Sequence, residues 1–175
     1  MKPVTLLRRM PVSLRTIMLA ALVLAVATLA QQPRGHAAAG DAKPAIPDGA
    51  PRIALVIGNT AYTHLTKLQN PGNDARLMAS RLKQLGFTVT EAMDRSLPDL
   101  SKDVDAFTAQ IKQHGRETVA VLFYAGHGLE DDSINYLVPV DAQIKKRADI
   151  RTQALSVKQI ADQLAAAKNA LNILI

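Results

Sequence analysis

Tyr124-Ala125-Gly126-His127-Gly128 is the stretch of this sequence whose residue types are best suited to chemistry. An imidazole takes and gives a proton near neutral pH, its ordinary pKa being roughly 6.5, and glycines on both sides leave room for another backbone to come close. The residues before it, Thr118 to Tyr124, are rich in β-branched and aromatic types and read as a strand. His127 thus falls just past a strand's C-terminal end, where an α/β sheet presents its working groups. Position alone suits a histidine merely held in a loop equally well.

The remaining candidates have plainer readings. His36 lies in a Pro-, Gly- and Ala-rich stretch, His64 in a polar loop, and His114 at a helix end, where a partial positive charge suits the dipole. No two of the four histidines have the spacing of zinc ligands. Glu130, Asp131 and Asp132 lack the alternation of a calcium loop and read as a solvated hairpin tip. The glycines around His127 are not a phosphate loop, since no complete Gly-x-Gly-x-x-Gly and no Walker lysine is present. The 175 residues contain no cysteine, so they hold no disulfide, no thiolate metal site and no thiol nucleophile.

Several elements must position His127. Ile53 to Ile57 is a short apolar run of the kind buried on both faces, ended by Gly58. From Asp74 to Leu85, Leu77, Met78, Leu82 and Leu85 have helical spacing and Gly86 stands where a helix stops. Phe87 to Ala92 reads as a second strand, and Asp99 to His114 as a helix with Leu100, Val104, Phe107 and Ile111 on one face, closed by Gly115. After the third strand, Ile134 to Val140 reads as a short strand that Pro139 confines to an edge or to a place outside the main sheet. Ser156 with Gln159 three residues on opens a helix through Ile160, Leu164 and Ala167, and Leu171 to Ile175 is a last strand. The β-α-β-α-β order predicts an α/β fold with a mainly parallel sheet and helices on both faces.

Charge separates the N-terminal region from the rest. Lys2, Arg8, Arg9 and Arg15 precede an unbroken apolar or small run from Ile17 to Ala30, which makes residues 1–30 an expected signal peptide for export to the periplasm or beyond. A run of 14 is shorter than the roughly 18 to 20 residues of a spanning helix, so membrane contact is expected only through this segment. Residues 31–51, rich in Ala, Pro and Gly, read as a linker, and the folded part is expected over 52–175. Without the first thirty residues the charge excess drops from +6 to 17 basic against 15 acidic residues. With three Phe and three Tyr and no dense basic stripe, nucleic-acid binding has no support, and Lys145-Lys146-Arg147 reads as a solvated loop.

Five pieces carry a resemblance: Arg52 to Asn59 with Tyr62; Leu68-x-Asn70-Pro71-x-Asn73-Asp74-Ala75; Leu85-Gly86-Phe87; Phe123 to Gly128; and Asn135 to Asp141. In this order they resemble the bacterial caspase-like peptidases, relatives of metacaspases and paracaspases. The resemblance implies a three-layer α/β/α caspase-hemoglobinase fold and a cysteine-histidine endopeptidase with a protein or peptide substrate and no required cofactor. His127 matches the dyad histidine, and the Gly128 N–H one donor of the oxyanion hole, the other being the cysteine's own N–H. Asp74 matches an aspartate that binds substrate Arg or Lys, although an acid in a helix's first turn is favoured without any function. Ala125 stands where metacaspases commonly carry Ser, and the lack of Arg between Thr66 and Asp74 argues against an aspartate-seeking pocket. The family's cysteine follows its histidine by roughly 50 residues and 48 follow His127, so the sequence is expected to stop short of an Asp-x-Cys turn. The alternatives are a non-catalytic interaction module of the same fold and, more remotely, a nucleotide-binding domain.

Overall fold

In the computed structural model, which describes residues 46–175, β1 (Arg52–Gly58) is buried along almost its whole length because both of its faces are covered. It lies between β2 (Thr88–Met93) and β3 (Val119–Ala125), and β7 (Leu171–Leu174) pairs with the far side of β3. All pairings are parallel, in the order β2-β1-β3-β7. Alternate residues of β1 serve opposite layers, as the two-residue repeat of a strand requires. Ile53, Leu55 and Ile57 pack with Leu100, Val104, Phe107 and Ile111 of α2 (Leu97–His114) and with Ile160 and Leu164 of α4 (Val157–Ala166). Ala54 and Val56 pack with Ala75, Met78, Ala79 and Leu82 of α1 (Pro71–Gln84). The expected α/β architecture with helices on both faces is therefore present. The expected signal peptide and most of the linker lie outside the described residues. Among the described residues no helix is long and apolar enough to cross a membrane.

Local chemistry sets where the helices begin and stop. Helix α1 starts three residues before Asp74, because Pro71 is preorganised for a first helical position and the Asn73 and Asp74 N–H groups both donate to the Asn70 carbonyl at 2.9 Å. It ends in a Schellman motif: Phe87 N–H donates to Leu82 O and Gly86 N–H to Lys83 O, with Gly86 at φ +80. Helix α2 starts at Leu97, capped by Ser96, whose Oγ accepts from Asp99 N and donates to the Asp99 carboxylate at 2.6 Å. The expected Ser156 cap is formed too, Oγ accepting from Gln159 N.

The segment after β3 departs most from the sequence reading. Gly128–Asp131 is a strand of its own, β4, joined to β5 (Ile134–Leu137) through Asp132 and Ser133, at φ 49 and 62. This is a two-residue turn of the mirror-image kind that suits the twist of a hairpin, built without the glycine that would have signalled it. With β6 (Leu155–Ser156) the hairpin makes a second sheet, β4-β5-β6, so the stretch before Pro139 does lie outside the main one.

The acidic tip corrects an expectation. The Asp131 side chain is only 2% exposed. It accepts from Arg147 Nε and, at 2.6 Å, from Arg151 Nε, while Asp132 takes a second nitrogen of each guanidinium. Arg147 is thus a tie to the hairpin and not part of a free basic loop. A 3-10 turn (Arg147–Asp149) runs directly into α3 (Ile150–Gln153), and four-residue spacing puts both arginines on one side. The Asp149 carboxylate closes the preceding loop by accepting from Lys146 N at 2.9 Å and Lys145 N at 3.0 Å.

Hydrogen bonds from Arg147, then Arg151, hold the Asp131 carboxyl below its ordinary range, and those of the Lys146 and Lys145 amides do the same for Asp149. A depressed folded value stabilises the fold fully above the unfolded carboxyl pKa, roughly 3.9, and the contribution is lost as pH falls through the lower folded value. The melting temperature should therefore hold steady down to about pH 5 and drop below about pH 4. In Asp131→Asn it should start lower at neutral pH and fall less steeply with acid, as followed by circular dichroism.

Candidate active site

Parallel pairing in the register Gly58 with Ala125 makes β1 and β3 end side by side at one edge of the sheet. Beyond the end of β1 runs the irregular segment 59–70; beyond the end of β3 come Gly126, His127 and β4. Asp74 is exposed near the same edge, in the first turn of α1. The start of that helix is so close that a Cβ on Gly58 would stand 2.8 Å from the Ala75 Cβ and 3.0 Å from the Pro71 carbonyl. The three residues singled out for site roles, His127, Gly128 and Asp74, therefore share one rim.

His127 is half-buried and held on three sides. Its Nε2 is 2.7 Å from the carbonyl oxygen of Thr66. A carbonyl only accepts, so this contact requires the proton on Nε2 and leaves Nδ1 of the neutral ring as the basic nitrogen. The Tyr62 ring meets the imidazole edge to face, with centroids 4.5 Å apart, and the Tyr62 hydroxyl accepts the His127 N–H at 2.7 Å. The His127 carbonyl accepts from Tyr124 Oη at 2.9 Å and from Val138 N at 3.1 Å.

Behind the histidine lies a polar knot. The Val138 carbonyl oxygen is within 3.2 Å of Tyr62 Oη, Tyr124 Oη and Asn59 Nδ2, and the two hydroxyls are 3.2 Å apart. Burial pushes the Tyr62 phenol above its ordinary value and the Tyr124 phenol well above it, so both keep their protons and remain donors at neutral pH. Gly126 makes the knot possible. A Cβ there would stand 2.4 Å from Tyr124 Oη and 2.6 Å from Tyr62 Oη. The room that the sequence assigns to an approaching backbone is taken by two side-chain hydroxyls.

Gly128 has a different job. Val138 N donates to His127 O, while the His127 N–H goes to Tyr62, so the next pair, Gly128 with Leu137, is of the non-hydrogen-bonded kind. The Gly128 N–H consequently points away from β5, on the outer side of the edge strand β4. On the face of the main sheet opposite α1, a pocket of about 220 Å³ is lined mainly by apolar side chains, among them Leu122, Leu137, Ile160, Leu174 and Ile175, with Tyr124 beside them. Among the described residues no three His, Asp or Glu side chains converge as a metal site would need.

Tyr62, Thr66, Asn59 and Val138 receive no role from sequence reasoning. Tyr62 figures there only as a matching letter, and Thr66 acts through its carbonyl, which every residue type possesses.

Comparison with known proteins agrees with the α/β fold. Residues 51–175 match the family described as the caspase domain. The chain is 30% identical over 122 residues to the mucosa-associated lymphoid tissue lymphoma translocation protein 1 homolog of Mus musculus and, to the same extent, to the Homo sapiens protein of that name. The aligned part is 70% of this chain and 14% of each relative. Against caspase-1 of Rattus norvegicus the identity is 30% over 80 residues, covering 46% of this chain and 20% of that one. The chain thus spans well under a quarter of these relatives.

The two glycines should respond oppositely to an added methyl. Gly126→Ala should cost roughly 2 to 5 kcal/mol, since it overpacks the knot and leaves a buried hydroxyl or carbonyl unpaired. Gly128→Ala, whose nearest neighbouring atom would be 3.8 Å away, should cost under about 1 kcal/mol. Urea denaturation of both variants measures the difference, and equal losses would contradict this account of the knot.

Proposed function

The chain belongs to the caspase domain family, a family of cysteine peptidases, and on that premise we propose that residues 52–175 supply the histidine side of an endopeptidase site that cuts after Arg or Lys. The observation that carries the proposal is the contact of His127 Nε2 with Thr66 O. It orients the ring and reserves Nδ1 for proton transfer.

In the proposed reaction Nδ1 accepts the proton of a cysteine thiol, and the thiolate attacks the scissile carbonyl. The negative charge that develops on the carbonyl oxygen is met by the outward Gly128 N–H. The imidazolium then gives its proton to the leaving amine, and water, activated by the same nitrogen, releases the acyl group. Asp74 at the same rim gives a substrate guanidinium or ammonium a carboxylate partner. The proposed proton transfers and thiolate attack require no cofactor of their own. The thiol lies outside the 175 residues, which contain no cysteine. The basic and apolar composition of residues 1–30 supports action after export, and the family supports a protein or peptide substrate.

The missing cysteine favours a second reading, a caspase-like module that binds a protein partner without cleaving it. The 175-residue chain alone should not hydrolyse peptidyl-Arg or peptidyl-Lys amides. The product of the whole gene should, and His127→Ala should lower its kcat/KM by about 10² to 10⁴. Asp74→Asn should lower kcat/KM for Arg peptides about 10- to 100-fold, mainly through KM. Turnover unaffected by His127→Ala would refute the proposal, and partner binding without amidolysis by the whole gene product would establish the second reading.

A further inference from the structure

We infer that Asp94, just after β2, is a positioning residue for the His127 imidazole. One oxygen of its carboxylate, Oδ1, accepts from Thr60 N at 2.7 Å and from Ala61 N at 2.8 Å. Both are short for N–H···O contacts, as hydrogen bonds to a charged acceptor are. Asp94 N returns a bond to Gly58 O at 2.9 Å, and the neighbouring Arg95 N donates to Asn59 Oδ1 at 2.9 Å. The exit of β1 and the exit of β2 are thereby tied together at the rim that carries the site.

Residues 59–70 contain no helix and no strand, so a few hydrogen bonds set their course. Two of the paths that start at Asp94 end on His127. Through Ala61, the next residue is Tyr62, whose ring meets the imidazole and whose hydroxyl takes the His127 N–H. Through Thr60, the carbonyl accepts from Leu68 N at 3.1 Å, folding the segment back on itself two residues after Thr66, the residue whose carbonyl meets Nε2. The Thr60 hydroxyl also accepts from Gly72 N at 3.2 Å, joining the same point to the start of α1.

Asp94 holds this position at a backbone cost. Its φ of 52 is in the left-handed region, which Gly occupies without penalty and which Asp tolerates better than most residues. A glycine would suit the backbone at least as well, so the gain from Asp94 lies in its carboxylate. Asp94 touches neither the ring nor any reacting atom and acts wholly through the segment it anchors.

The inference rests on His127 as the working base, but its test reads ring placement without turnover and so is separate from the test of the peptidase reading. In the 15N-labelled 175-residue chain, the ring nitrogens of His127 are identified by their loss in His127→Ala. Wild type should show the neutral ring protonated on Nε2, with that N–H slow to exchange. Asp94→Gly, which removes the carboxylate and relieves the backbone, should give mixed tautomers and Nε2–H exchange faster by about tenfold or more. Asp94→Asn keeps an oxygen acceptor of the same reach and should restore most of the wild-type signal, and Asp94→Ser should fall between. A wild-type tautomer and exchange rate in either Asp94→Gly or Asp94→Ser would overturn the inference; should Asp94→Gly not fold, Asp94→Ser decides alone.

Discussion

One main-chain oxygen, that of Val138, gathers the pieces from which the rim is built. It lies within hydrogen-bonding distance of Asn59 at the exit of β1, Tyr62 in the irregular segment beyond it, and Tyr124 near the end of β3. Val138 itself directly follows β5 in the second sheet, so one buried acceptor joins the two sheets and the irregular segment between β1 and α1. Buried polar groups are costly when unpaired and rigidifying when fully paired. Here the pairing depends on a missing side chain: Gly126 has no Cβ, and two tyrosine hydroxyls occupy the room. His127 is the next residue, and its N–H and carbonyl are both consumed by the knot. The position of the imidazole is thus a consequence of main-chain hydrogen bonding.

The sheet supplies the frame. Parallel strands release their C-terminal ends at a common edge, which is why Asn59, Asp94 and His127, far apart in sequence, face one region. The helix layers contribute burial: α2 and α4 cover one face, α1 the other. Burial of that kind is insensitive to direction. The hydrogen bonds at the rim are directional, and they decide which nitrogen of His127 carries the proton and which way the Gly128 N–H points. Division of labour between a nondirectional core and a directional edge explains how a rigid frame can hold a ring whose own environment is half open.

The second sheet shows how charge supplements a small core, in which Tyr136 packs with Ile150 and Ala154. Its strands have four, four and two residues, too short for packing alone to fix them. Asp131 and Asp132 at the turn compensate by holding Arg147 and Arg151. Since β4 carries Gly128, the ion pairs at one end of the hairpin support the donor at the other. The buried carboxylate of Asp131 is tolerable only because two guanidinium groups meet it.

Much of the frame was legible in the residues themselves. Ile53 to Ile57 announces a doubly covered strand, the spacing of Leu100, Val104, Phe107 and Ile111 announces α2, and Gly86 and Gly115 stand where helices stop, because period and backbone freedom are local properties. His127 could be placed at a strand end for the same reason. Strand β4 could not, since Asp132 and Ser133 lack the glycine that marks a tight hairpin, and the burial of Asp131 could not, since its partners Arg147 and Arg151 are sixteen and twenty residues away. Least legible were the parts that give the histidine its chemistry. The Thr66 carbonyl, the Asp94 anchor and the Val138 acceptor depend on main-chain groups that every sequence has, and only the folding of 59–70 across the ends of β2 and β3 selects them. The sequence by itself determined the layers, the strand-end histidine and the absence of a thiol among these residues; the tertiary structure decided which ring nitrogen is free, because that depends on where a distant carbonyl comes to rest.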